Sequence, residues 1–240
     1  MKVVLLRHTE DPDQVCAAAA ASCYSASPAS KLHDEMSPKK RAKLLRAVVS
    51  RGHHSVVEHA IFTFSLEGVS RAMTHQLVRH RIASNSQQSQ RYVRFDTADY
   101  VTPPEVEKRP EAKSVFDASV EGAWRTYRDM IEDGIPEEDA RYVLPNAATT
   151  NIALTMNARE LLHFFRLRCC LRAQWEIRRV ALKMLDECKR VAPVIFQDAG
   201  RPCLSGPCPD DAEDCALYPG RFGFLDGNTV DARDGGGAGP

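Results

Sequence analysis

The chain has 240 residues, 43% of them hydrophobic, with 32 Lys plus Arg set against 32 Asp plus Glu. That is enough apolar matter for one buried core, and a formal charge of zero argues against a dedicated nucleic-acid or anionic-membrane binder, which carries a basic excess. No segment approaches the roughly 18 apolar residues of a membrane span, and Val3–Leu6 is too short for a signal-peptide core, so the expected location is the cytoplasm.

Lys2–Arg7 reads as a short buried strand, followed by an alanine-rich helix around Gln14–Ala21. Pro38–Ser50 is expected to be a helix, with Pro38 in its first turn and Leu44, Leu45 and Val48 at helical spacing. Ala60–Gly68 reads as a strand, since Phe62, Phe64 and Leu66 alternate with Thr63, Ser65 and Glu67. Ser70 then caps a helix running to about Arg79. Between Arg81 and Arg91 the chain loses its apolar period after Ile82 and Ala83, and the polar run Ser84 to Gln90 is expected to be a loop. Ala112–Ile131 forms a long amphipathic helix, with Phe116, Val120, Ala123, Trp124, Tyr127 and Ile131 on one face. Gly134-Ile135-Pro136 ends it, and Pro136 opens another helix whose first turn is acidic.

Thr150–Met156 alternates again, Asn157 caps a helix to about Arg168, and a last helix spans Ala173–Val191. The fold class is therefore α+β, mostly helical with a small antiparallel or mixed sheet. The expected division is a domain over residues 1–199 and a Cys-, Gly- and Pro-rich tail over 200–240, with Gly235–Pro240 disordered.

The strongest chemistry lies at Arg79-His80-Arg81 and the polar run behind it. Neighbours on a helix diverge by about 100°, so three adjacent cationic or titratable side chains fan out rather than share a face. Such a fan suits a bulky polyanion, and arginine supplies planar donors for phosphate oxygens. The hydroxyls and amides that follow add hydrogen bonds to sugar and base edges without adding charge. An Arg-His-Arg triplet alone reads as a solvated basic turn; Gln76 ahead of it, with Ser89 and Arg91 closing the run, favours a binding site.

Arg79-His80-Arg81, seven residues and Ser89 resemble the RHR-x7-S signature of flavin-dependent thymidylate synthases. The surroundings agree in order: Gly52-His53, Glu58-His59, Phe62-Thr63-Phe64, Gln76, Arg141 before Val143-Leu144-Pro145, Asn157-Ala158-Arg159, Arg168, and Ala173 to Ile177. The likeness covers roughly residues 50–195. It implies a homotetramer whose subunits share active sites. It also implies FAD as cofactor, with dUMP, 5,10-methylene-tetrahydrofolate and NADPH as substrates. Carried over by position, the residues toward FAD are His53, Ser55, Arg79, His80, Arg81, Gln87, Asn157, Arg159 and His163. Those toward the nucleotide are Gln76, Arg79, Gln87, Ser89, Arg91, Arg141 and Arg168. Gln87 stands where many members have glutamate, and His163 where others have asparagine. In the implied reaction, NADPH reduces FAD, the folate supplies one carbon to C5 of dUMP, and hydride from the flavin completes the methyl group. C5 is a weak nucleophile, so negative charge must develop across N3 and O4 of the uracil to activate it, and Arg168 is the expected catalytic residue that stabilises this charge. Ser89 lacks a neighbouring base in the sequence and is assigned to substrate binding rather than nucleophilic attack.

Arg159 and His163 share a helix face, whereas Arg168 falls about 140° from His163. Either the helix ends before Arg168, or different subunits supply the three. His53, His54 and His59 lack the carboxylate or cysteine company of a metal centre, so no metal is expected there. Eight cysteines in a chain without an export signal read as reduced thiols. One exception is entertained: Cys203, Cys208 and Cys215 converging with Cys169 or Cys170 as a zinc site or disulfides. The rival functions are a non-enzymatic nucleotide- or RNA-binding protein using residues 79–91, and an interaction protein anchored on Trp124 and Trp175.

Overall fold

Phe62, Phe64 and Leu66 alternate with Thr63, Ser65 and Glu67, and this period of two makes Ile61–Ser70 the spine of a sheet. The computed structural model describes residues 1–204, 206–210 and 215–216. In it four antiparallel strands, β1 (Lys2–His8), β2 (Ile61–Ser70), β3 (Ala83–Gln87) and β4 (Thr149–Asn157), lie in the order β1-β2-β4-β3. Phe64 is opposite Leu154, Phe62 opposite Met156 and Leu66 opposite Ile152, so one face of the sheet is continuously apolar.

The helices are α1 (Pro12–Ser22), α2 (Ala29–Glu35), α3 (Pro38–Ser50), α4 (Arg71–Leu77) and α5 (Pro104–Glu107). They continue with α6 (Pro110–Glu132), α7 (Glu137–Ala140), α8 (Ala158–Arg168) and α9 (Trp175–Val191). Leu161, Phe164 and Phe165 of α8, with Ile177, Val180 and Met184 of α9, join the apolar sheet face in the core. Phe62, Phe165 and Phe196 meet edge to face at centroid distances of 5.5 and 5.8 Å. A buried aromatic of this kind contributes about 3–5 kcal/mol against truncation, a large share of a domain's total stability. A smaller cluster under α6 gathers Val120, Trp124 and Ala148. Among the described residues no helix is long and apolar enough to cross a membrane.

The α+β class is as expected, with an antiparallel sheet, and three details differ. The run read as a loop contains β3, which pairs Ser84 with Thr155 and Ser86 with Ala153. An edge strand with an exposed polar face needs no apolar alternation, because β4 supplies its backbone partners; that is why composition concealed it. The helix after Ser70 stops at Leu77, two residues before Arg79. The short α2 buries none of its residues, so it had no periodic signal to give.

The entertained convergence of the cysteines is not observed. All eight thiols are free, and among the described residues no set of cysteines gathers at metal-binding distances. Cys169 closes the end of α8 inside the core, where burial pushes its thiol up to about 12, so it acts as a packing residue. The segment Gly235–Pro240 lies outside the described residues. Burial likewise raises Cys16 to about 12 and raises Cys188, which predicts a graded thiol reactivity. In native protein a thiol reagent should label exposed Cys23 at once and leave Cys16, Cys169 and Cys188 untouched. Denaturation should bring the count to eight, with no zinc released; a shortfall of free thiols would contradict the arrangement.

Candidate active site

Where β2 ends, a buried carboxylate fixes the start of α4. The Ser70 hydroxyl accepts from the Met73 amide at 3.0 Å and donates to Glu176 Oε2, while the Ser70 amide donates to Glu176 Oε1 at 2.7 Å. Glu176 comes from the first turn of α9 and is 2% exposed. A capped and clamped start, with an end at Leu77, delivers residues 79–81 in a non-helical bend. The expected fan follows: Arg79 and Arg81 are exposed and make no side-chain hydrogen bond or ion pair among the described residues, while His80 between them is 4% exposed.

The His80 ring is fully engaged. Its Nδ1 lies 3.1 Å from Glu160 Oε1, and its Nε2 accepts from Arg168 Nε at 3.1 Å. A guanidinium only donates, so Nε2 carries no proton, Nδ1 carries it, and Nδ1–H donates a hydrogen bond to Glu160 Oε1. Burial lowers the His80 pKa below the ordinary histidine range; the Glu160 hydrogen bond opposes this and the Arg168 charge adds to it, so the neutral ring is favoured. Phe164 and His163 pack edge-on against the imidazole at 5.0 and 5.7 Å. The Arg168 guanidinium is half-buried, and burial followed by the nearby Arg79 lowers its pKa. Its two Nη groups find no partner among the described residues. The result is a cation fixed at one edge with a free donor fork at the other.

A second cationic group forms around Glu138. Arg91 pairs with the Glu138 carboxylate at 2.8 Å, and Arg141 Nε donates to the Glu138 carbonyl at 3.0 Å. Arg71 donates to the Gln88 carbonyl at 2.7 Å, has a buried Nε without a partner, and is lowered by burial and by the charge of Arg141. Ser89 Oγ accepts from the Arg91 amide at 3.1 Å, which tightens the turn that presents Arg91. The Arg91–Glu138 pair is half-exposed on both sides, so it is worth at most about 1 kcal/mol and yields readily to a better anion.

The remaining expected residues divide. His53 and Ser55 are exposed at the turn before β2, where Gly52 adopts φ 79° to admit the reversal. Arg159 leaves the start of α8 toward the same turn and pairs with Glu58. Asn157 caps α8 by accepting from the Glu160 amide at 2.9 Å. Half-buried Gln76 forms no side-chain hydrogen bond among the described residues.

Two expectations change. His80 faces inward with both nitrogens spent, so its ring does not stand among the open donors. The Gln87 amide donates into the fold, to Thr74 Oγ1 at 3.0 Å and Thr150 Oγ1 at 3.4 Å, because its position on β3 faces the sheet's buried side. The option that the helix ends before Arg168 is closed, since α8 runs to it.

Arg71, Glu138 and Glu160 were missed in the sequence. Asn157-x-x-Glu160 did carry the signature of a helix capping pair, but the Glu160 side chain leaves the cap for His80. A cleft of about 750 Å³ lined by Tyr100, Thr149, Trp175 and Arg179 lies behind Glu176; none of the expected site residues line it.

Two like-charged arginine neighbours, Arg79 with Arg168 and Arg71 with Arg141, are thus held together in a chain with no net charge. Each lacks a fully neutralising carboxylate, and both suit anionic groups of a ligand. Arg79 and Arg81 are unpaired among the described residues, and Ser55, His53 and His163 are exposed, so each is left open to a ligand.

Residues 4–194 match the family described as thymidylate synthase complementing protein. A flavin-dependent thymidylate synthase from Geobacter sulfurreducens is 52% identical over 217 residues, which span 90% of this chain and 94% of the relative. One from Clostridium tetani is 47% identical over 231 residues, covering 90% and 93%. Among solved structures, the flavin-dependent thymidylate synthase ThyX of Helicobacter pylori, complexed with FAD and dUMP, superposes with a TM-score of 0.67. It is 25% identical, over 84% of this chain and all of that one. The UMP/dUMP methylase PolB of Streptomyces cacaoi shares the fold, with a TM-score of 0.70 at 24% identity over 82% and 93% of the two chains.

Proposed function

This chain belongs to the flavin-dependent thymidylate synthase family, and on that basis we propose that it converts dUMP to dTMP, with 5,10-methylene-tetrahydrofolate as carbon donor and NADPH as reductant. The observation that carries the reading is the fixed, half-buried Arg168 with its open donor fork. FAD, when bound, supplies the hydride that completes the new methyl group. Arg79 and Arg81 are the cations for its diphosphate, with Ser55, His53, Asn157, Arg159 and His163 as the remaining holding residues.

The nucleotide fits the two cationic groups. Arg141, Arg91 and Arg71 offer a dianionic phosphate several donors in place of the weak Glu138 pair. Gln76 and the turn closed by Ser89 supply neutral hydrogen bonds to the sugar and base. At the uracil, C5 becomes nucleophilic only as negative charge builds across N3 and O4. The Nη groups of Arg168 meet that charge from a partly desolvated position, where a donor is worth more than in water. His80 acts behind this surface, and Gln87 supports the polar run from within the sheet.

On α8, Arg159 and Arg168 are nine residues apart and so face about 180° from one another. The FAD-side Arg159 and the uracil-side Arg168 thus leave opposite faces of one helix, which suits the family's homotetramer, in which subunits complete each other's sites. A small-molecule reaction drawing on folate and NADPH belongs in the cytoplasm, and it calls for no nucleic-acid partner.

The test is a visible spectrum of purified protein followed by a dUMP-dependent NADPH oxidation assay. A flavin band and nucleotide-dependent turnover are expected; a colourless protein inactive with added FAD would contradict the reading. Arg168→Lys keeps the charge but loses the planar fork, so flavin content should persist while turnover falls about 10²–10³-fold. Near-normal turnover would remove Arg168 from the catalytic role. Ser89→Ala loses one hydrogen bond, about 1 kcal/mol or roughly fivefold in dUMP affinity, and should remain active. Complete inactivity with unchanged dUMP affinity would restore Ser89 as a nucleophile.

A further inference from the structure

We infer that Glu160 is a positioning residue for the reaction: through an Nδ1-protonated His80 it holds the Arg168 guanidinium in place at the uracil site. The inference rests on the proposed role of Arg168 and adds to it a buried chain of two residues that touch no substrate. Glu160 and His80 are 7% and 4% exposed, so water does not compete for their hydrogen bond. His80 has two nitrogens and two obligatory jobs. Arg168 can only donate to Nε2, and this forces the proton onto Nδ1, where a carboxylate is the partner that accepts and never donates.

Remove the carboxylate and the opposite tautomer, with a proton on Nε2, becomes accessible; that proton points at Arg168 Nε–H and expels the guanidinium. Protonation of His80 does the same. The groups facing the ring are Glu160, His163 and Arg168, all from α8, together with the Phe164 ring; Arg79 lies beside Arg168. His80, Glu160 and His163 offer ligand atoms within 4.8 Å of one another, a spacing that could suit a cation. Both His80 nitrogens are already committed, though, and a guanidinium occupies one of them, so the cluster serves as an orienting relay.

The experiment compares Glu160→Leu, Glu160→Gln, Arg168→Lys and the Glu160→Leu/Arg168→Lys double variant as FAD-loaded enzymes. Displacing a reacting-site group by about 1 Å costs on the order of 10²-fold. Glu160→Leu should therefore lose about that factor in kcat, with flavin content and dUMP KM little changed. Glu160→Gln keeps an acceptor oxygen and should recover most of the rate. The carboxylate's hydrogen bond and charge raise the His80 pKa against burial, so in Glu160→Gln the acid limb of kcat should move to lower pH. The double variant should be little worse than Arg168→Lys alone, since both changes act on one group. Full turnover in Glu160→Leu beside a crippled Arg168→Lys, or additive losses in the double variant, would overturn the inference while leaving the role of Arg168 intact. Normal turnover in Arg168→Lys would overturn that role itself. Should Glu160→Leu fail to fold, 15N spectroscopy of histidine-labelled unmodified enzyme decides the matter: an Nδ1-protonated neutral His80 supports the inference, and an Nε2-protonated one overturns it.

Discussion

A histidine buried between a carboxylate and a guanidinium is the constraint around which this molecule is organised. Glu160, His80 and Arg168 connect the bend after α4 to both ends of α8, and the connection forms only if the bend turns His80 inward. Turning it inward sends Arg79 and Arg81 outward, since neighbouring side chains diverge. One interaction thus decides which of three consecutive polar residues meet solvent and which meets the core. The core responds in kind: Phe164, the neighbour of His163 on α8, packs against the same imidazole and continues into the Phe165–Phe196 aromatic cluster.

The sheet provides the second support. Glu176 clamps Ser70 at the end of β2, so the position of α4 follows from α9, and α9 is seated by the apolar stripe it shares with the sheet. On the other side, β4 holds β3 as an edge strand and so presents the turn with Ser89 and Arg91. The two cationic groups are therefore presented from the ends of regular elements and from the bend and turn that follow them. Such backing keeps arginines of like charge close together with no more than the half-exposed Glu138 carboxylate to offset them, an arrangement that makes sense in a protein built to receive an anionic nucleotide.

The sequence revealed what periodicity and punctuation control. Phe62, Phe64 and Leu66 announced β2, Asn157 announced the start of α8, and Pro38 with Ser50 bounded α3. It concealed what depends on partners distant in the chain. β3 has no apolar pattern because its exposed face is polar and its hydrogen bonds come from β4. The inward face of His80 depends on Glu160, 80 residues away, and the role of Arg71 on Gln88 and Arg141. Family likeness names residues by position, and it does not tell an open donor from one spent inside the fold, as the side chains of Gln87 and His80 are. The tail cysteines are a related case: a segment with little apolar matter invited a cross-link to Cys169 or Cys170, but all these thiols are free and Cys169 packs in the core.

The proposed role of Arg168 is to stabilise negative charge at N3 and O4 of the bound pyrimidine. A nucleotide whose ring ionises near neutrality, 5-fluoro-dUMP, reports this directly when its N3 ionisation is followed by ultraviolet absorption on the FAD-loaded enzyme. The bound nucleotide should ionise at a lower pH than the free one, and the difference should disappear in Arg168→Leu. An N3 ionisation unchanged by binding, or one still lowered when Arg168 is gone, would contradict it.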